Sequence, residues 1–64
     1  MVRQVTRKQS ELFDFAAQVI HETDRAWLLS DGRTTAWVPK SVCQDNQDGT
    51  FTLPASIAEE KGFA

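Results

Sequence analysis

The sequence predicts a mainly β domain: a small antiparallel barrel or curled meander of four to five strands, with a short C-terminal helix. Three features carry this prediction. Asp31-Gly32 sits between two apolar runs that hold both tryptophans, Phe13 to Glu22 follows a period of two, and Pro54 to Phe63 has helix punctuation at both ends. Asp-Gly supplies the positive φ that a tight hairpin turn needs, so Arg25–Ser30 and Arg33–Val38 read as paired strands. Pro39, with no amide hydrogen to donate, ends the second of them.

From Phe13 onward, Phe13, Phe15, Ala17 and Val19 alternate with Asp14, Ala16, Gln18 and Ile20, which fits one extended strand with a strongly apolar face. Glu22-Thr23-Asp24-Arg25 then supplies turn residues whose short side chains bond nearby backbone. Hairpin register decides where the indoles go. A two-residue loop at Asp31-Gly32, the favoured reading, sets Ser30 against Arg33, Leu28 against Thr35 and Ala26 against Trp37. That places Trp37 and Leu28 on one face and Trp27, Leu29 and Val38 on the other. A three-residue loop would instead oppose Trp27 to Trp37 as an aromatic pair. Either way the sheet has apolar groups to cover on more than one side.

Pro39-Lys40-Ser41 reads as a tight corner, Val42-Cys43 as a short return segment, and Gln44 to Thr50 as a polar loop ending at the Asp48-Gly49 turn signal, followed by a strand over Thr50–Leu53. In the tail, Pro54 suits a first helical turn and Gly62 a left-handed stop, giving a helix over 54–61 whose stripe of Ile57 and Ala58 is joined by Phe63. Two turns are unstable alone in water, so the helix must dock on the sheet.

At 64 residues the chain has room for one domain. We expect it to occupy 12–64, with 1–11 as a flexible lead-in. Arg3, Arg7 and Lys8 make the first ten residues basic, while Glu11, Asp14, Glu22 and Asp24 make the next fourteen acidic. A net charge of −2 argues against a protein built mainly to grip phosphate backbones. No apolar run approaches a membrane span or a secretory signal, and cytoplasmic residence is the expectation. Cys43 is the only cysteine, which excludes an intrachain disulfide and a thiolate metal cluster within one chain. A core this small with neither brace makes homodimerisation a standing alternative.

The blocks Glu22-Thr23-Asp24-Arg25-Ala26, Leu28, Trp37-Val38-Pro39-Lys40-Ser41, Leu53-Pro54 and Ala58-Glu59-Glu60-Lys61-Gly62 span about two thirds of the chain. On these residues the chain resembles a group of short, uncharacterised bacterial and bacteriophage proteins. The resemblance implies an accessory product of a mobile element and carries no established activity. The chain departs from that pattern in having Ala55-Ser56-Ile57, without an aromatic residue, after Pro54.

Catalytic chemistry finds little support. His21, the only histidine, reads as a strand-edge residue and Cys43 as a small buried apolar one. Ser41 lacks the glycine context of a nucleophile elbow. Gln44 and Ala55 stand where a calcium loop ending its first half at Gly49 would need carboxylates. No cofactor or metal is expected. Two tryptophans on opposite faces cannot both enter one small core, so the one left outside, near Arg25, Arg33 or Lys40, has the composition of a protein-binding hot spot. The expectation is therefore a non-enzymatic module that binds a host or phage protein through Trp27, Trp37, Arg25, Arg33 and Lys40. The alternatives are a single-stranded nucleic-acid binder of SH3-like or OB-like size, with the indole as a stacking platform, and a structural homodimer.

Overall fold

The structure, a computed structural model, describes residues 11–64. The expectation of a flexible lead-in falls almost wholly outside them. Only Glu11 is described, and its carbonyl accepts the Ala55 N–H at 2.9 Å.

Among the described residues, six strands form two three-stranded antiparallel sheets. In chain order they are β1 (Leu12–Ala16), β2 (Gln18–Glu22), β3 (Ala26–Ser30), β4 (Thr35–Pro39), β5 (Gln44–Asp45) and β6 (Thr50–Pro54). A 3-10 turn at Lys40–Val42 links β4 to β5, and the helix α1 (Ala55–Lys61) follows β6 directly. One sheet has the order β1-β6-β5 and the other β2-β3-β4. The fold is thus mainly β with a C-terminal helix, as the sequence predicts, but no ladder closes it into a barrel among the described residues. Pro39 and the 3-10 turn lead the chain away from β4 before β5 pairs with β6.

The single strand expected from Phe13 to Glu22 is two strands. β1 pairs with β6 and β2 with β3, and the change of partner falls at Ala17, whose N–H donates to the Gly49 carbonyl at 3.1 Å. The period of two survives in β1, where Phe13 and Phe15 are half-buried and face Leu53 and Phe51. It fails in β2. A register shift between Val19 and His21 inserts Ile20 as a bulge, and all five β2 residues are exposed.

The β3–β4 hairpin corrects the expected register. Its pairs are Ser30 with Thr35, Leu28 with Trp37, Trp27 with Val38 and Ala26 with Pro39. Neither expected register, including the Trp27–Trp37 pair, forms. The cause is the Asp31 carboxylate, which accepts the N–H groups of Arg33 and Thr34 at 2.9 and 2.8 Å, while the Asp31 N–H donates to the Thr34 carbonyl at 3.1 Å. Asp31 therefore opens the loop instead of forming its centre, and Gly32 carries the positive φ of 95°. The register moves by two residues, so the expected division of faces survives.

The core lies on the inner faces of the two sheets and under α1: Leu29 and Val38 from β3 and β4, Phe51 and Leu53 from β6, with Cys43, Ala58 and Phe63. Gly62, at φ 93°, ends α1 by donating to the Ala58 and Glu59 carbonyls, and Phe63 N–H donates to Ala58 at 2.8 Å. This left-handed stop returns Phe63 to the core, where its ring lies 4.6 Å from that of Phe15. Thr34 Oγ1 donates to the Gly62 carbonyl at 3.2 Å and ties the helix end to the hairpin.

Candidate functional site

The outer faces of the two sheets differ in chemistry. On β1-β6-β5, Asn46 Nδ2 donates to Thr50 and Thr52 Oγ1 at 3.1 and 2.9 Å, Thr52 Oγ1 donates to Asp14 at 2.6 Å, and Thr50 Oγ1 donates to Asp48 at 2.6 Å. These polar groups satisfy one another. The outer face of β2-β3-β4 instead carries Ala26, Leu28 and Ser30 from β3, Thr35, Trp37 and Pro39 from β4, and Gln18 and His21 from β2, as the pairing dictates. None of these eight residues is Asp, Glu, Lys or Arg.

Trp37 is the centre of that face. It is 42% exposed, pairs with Leu28 across the hairpin, and meets the His21 ring edge-on at 6.0 Å between centroids. The row His21, Leu28, Trp37 therefore crosses all three strands. It stays outside because the inner face is already filled by Trp27, Leu29, Ala36 and Val38.

The residues singled out in the sequence do not form one cluster. Trp27 is half-buried on the inner side with its ring 5.4 Å from that of Phe51. Lys40 sits with Trp27: its ammonium lies 5.4 Å from the indole centroid and pairs with Glu22 at 2.5 Å. Arg33 is in the β3–β4 loop and Arg25 in the β2–β3 turn, both exposed and at opposite ends of the hairpin. Sequence reading missed His21 and Leu28 as neighbours of Trp37. The signal for Leu28 was present in its face assignment, whereas His21 depends on the β2 bulge.

Among the described residues no group of three or more His, Cys, Asp or Glu side chains converges as metal ligands would. Open grooves among the described residues include two. One, of about 430 Å³, runs along Ala16, Ala17, Gly32 and Gly49 with Asp31 at its side. The other, of about 640 Å³, lies between Leu12, Val42, Cys43 and Leu53. Burial, reinforced by the Asp45 charge, pushes the Cys43 thiol up from its ordinary value, which is opposite to the activation a nucleophile needs. No helix among the described residues is long and apolar enough to cross a membrane. No known family model, curated protein or solved structure matches the chain.

Proposed function

We propose that the protein is a non-enzymatic binding module that docks another protein on the outer face of β2-β3-β4, with Trp37 as the anchor. The observation that carries this reading is the half-exposed Trp37, set between His21 and Leu28 on a face without Asp, Glu, Lys or Arg, whereas the outer face of the other sheet carries the bonded Asn46, Thr50, Thr52 and Asp14 with Leu12 exposed at its end. A large rigid aromatic beside Ala26, Leu28 and Pro39, rimmed by Gln18, His21, Ser30 and Thr35, has the composition of an interface hot spot. The sequence resemblance implies a mobile-element origin and carries no activity with it; the role as adaptor or inhibitor of a host or phage protein is our reading of the Trp37 face.

Nucleic-acid binding is the weaker reading. The chain has nine acidic against seven basic residues, a net charge of −2, and Lys40 is engaged by Glu22. The test is affinity capture from host lysate with wild type, Trp37→Ala and Glu60→Gln, the last altering an exposed helix residue. Loss of the same captured protein with Trp37→Ala alone is expected. Undiminished capture by Trp37→Ala, or tight oligonucleotide binding that weakens steeply with salt, would overturn the reading.

A further inference from the structure

We infer that Asp48-Gly49 is a site of spontaneous backbone isomerisation to isoaspartate, and that the chain's other Asp-Gly step, Asp31-Gly32, is protected by its own loop. The reaction needs only water. The Gly nitrogen, with no Cβ beside it to block the approach, attacks the side-chain Cγ of the preceding Asp, and its proton and the carboxyl OH leave as water to close a cyclic succinimide. Water then reopens the ring. Cleaving the new Cγ–N bond restores Asp, whereas cleaving the original peptide C–N bond leaves the chain running through Cβ and Cγ, with the Cα carboxylate as a side group.

The two loops share this dipeptide and differ in how they hold the reacting atoms. At Asp31 both are held. Gly32 N–H donates to Ser30 Oγ at 3.2 Å, and the Asp31 carboxylate accepts the N–H groups of Arg33 and Thr34 at 2.9 and 2.8 Å. The loop is closed again by Asp31 N–H on the Thr34 carbonyl at 3.1 Å and by Thr34 Oγ1 on the Gly62 carbonyl at 3.2 Å. For the Gly32 nitrogen to reach Cγ, several of these bonds must break together. The other loop is looser. Asp48 and Gly49 are both exposed, whereas Asp31 is half-buried. One residue, Thr50, holds the Asp48 carboxylate, through its N–H at 3.0 Å and its Oγ1 at 2.6 Å, and among the described residues no side chain accepts the Gly49 N–H as Ser30 accepts that of Gly32. Gln47 beside it already occupies the left-handed region, at φ 63°. Both carboxyls are held below their ordinary value, which slows ring closure at each site and does not separate them.

Position gives the change a consequence. The Gly49 carbonyl accepts the Ala17 N–H at 3.1 Å, the bond at which the chain passes from β1 to β2. Isoaspartate inserts the Asp48 Cβ into the main chain just before Gly49 and so displaces that carbonyl from the junction of the two sheets.

The test is incubation of the full chain in heavy-oxygen water at physiological temperature and pH, folded and in denaturant, followed by tryptic mapping. Asp31 and Asp48 fall in separate peptides, 26–33 and 41–61, and fragmentation places the label within each. In the folded chain Asp48 is expected to isomerise about fivefold or more faster than Asp31, with the two rates converging in denaturant. Ser30→Ala should speed Asp31 and leave Asp48 unchanged, and the Ala17 amide should exchange with solvent faster in the modified chain. An unlabelled Asp48, or an Asp31 rate equal to or above that of Asp48, overturns the inference. A ratio that persists in denaturant overturns it too, because the difference then belongs to the local sequence and not to the loops. An Asp31 rate unmoved by Ser30→Ala removes the protection assigned to the Gly32 bond, and unchanged exchange at Ala17 removes the consequence for the sheet junction.

Discussion

Trp27 and Trp37 lie ten residues apart on adjacent strands yet face opposite sides of one sheet, Trp27 packed edge-on against Phe51 and Trp37 turned outward beside His21. Their substitutions should therefore separate stability from binding. Trp27→Ala removes a half-buried ring that packs against the core and lies under the Lys40 ammonium, and is expected to cost about 2–3 kcal/mol. Trp37→Ala loses a cross-strand contact at an exposed site and should cost less than about 1 kcal/mol. Urea unfolding of both variants checks this. Equal losses would mean that Trp37 is a structural residue.

That division of faces was legible before the structure because it depends only on the parity of the hairpin register. The preferred turn dipeptide gave the wrong register by two residues, and a shift of two leaves every side chain on its side. What escaped was set by longer-range contacts or by side-chain capping. The Asp31 carboxylate moves the loop centre on by one residue. The Ala17 bond to Gly49 divides one periodic strand between two sheets, and nothing local to Phe13–Glu22 encodes it. Likewise the Lys40 ammonium finds Trp27 and Glu22 only after the 3-10 turn is built. The charged residues near a tryptophan in sequence were thus poor guides to the outer face.

The Asp31 cap makes the hairpin sensitive to acid. Two backbone N–H groups, from Thr34 first and then Arg33, hold its carboxyl below the ordinary carboxylate value, and hydrogen bonds from Thr50 do the same for Asp48 in the β5–β6 loop. A depressed carboxyl contributes stability that is complete above the unfolded value near pH 4 and is lost as pH falls through the folded one. Stability should therefore fall with acid below about pH 4, and the slope should shrink in Asp31→Ala and shrink further in Asp31→Ala/Asp48→Ala. Thermal melts from pH 2 to 6 provide the measurement. An unchanged slope in the double variant would show that neither cap is formed in solution.

Cys43 should behave as a silent thiol. Burial first, and the Asp45 charge second, raise its value, so the folded protein keeps the neutral form at pH 7 and reacts slowly with a disulfide reagent until unfolded. A raised thiol contributes stability that is full below the unfolded value near 8.5 and declines as pH climbs above it. Cys43→Ala should cost about 1 kcal/mol through lost packing and remove that alkaline decline. Fast labelling of the native protein at pH 7 would contradict the buried position between β5 and the 3-10 turn.

Gln47 offers a gain in stability instead of a loss. Among the described residues it is the only non-glycine with positive φ, at 63°, held there between β5 and β6 by its N–H bond to the Asp45 carboxylate at 2.8 Å. A side chain in the left-handed region costs roughly 1 kcal/mol, and Gly escapes this cost but adds freedom to the unfolded chain. Gln47→Gly and Gln47→Asn should therefore stabilise modestly, by up to about 0.5 kcal/mol, because relief slightly exceeds the entropy introduced. Gln47→Val, β-branched and unsuited to the left-handed region, should destabilise by about 1 kcal/mol or more. Denaturant midpoints compared across the three variants and wild type give the order. If Val were tolerated as well as Asn, the loop would not hold this backbone conformation, and the Asp48–Thr50 cap beside it would have to be built on a different turn.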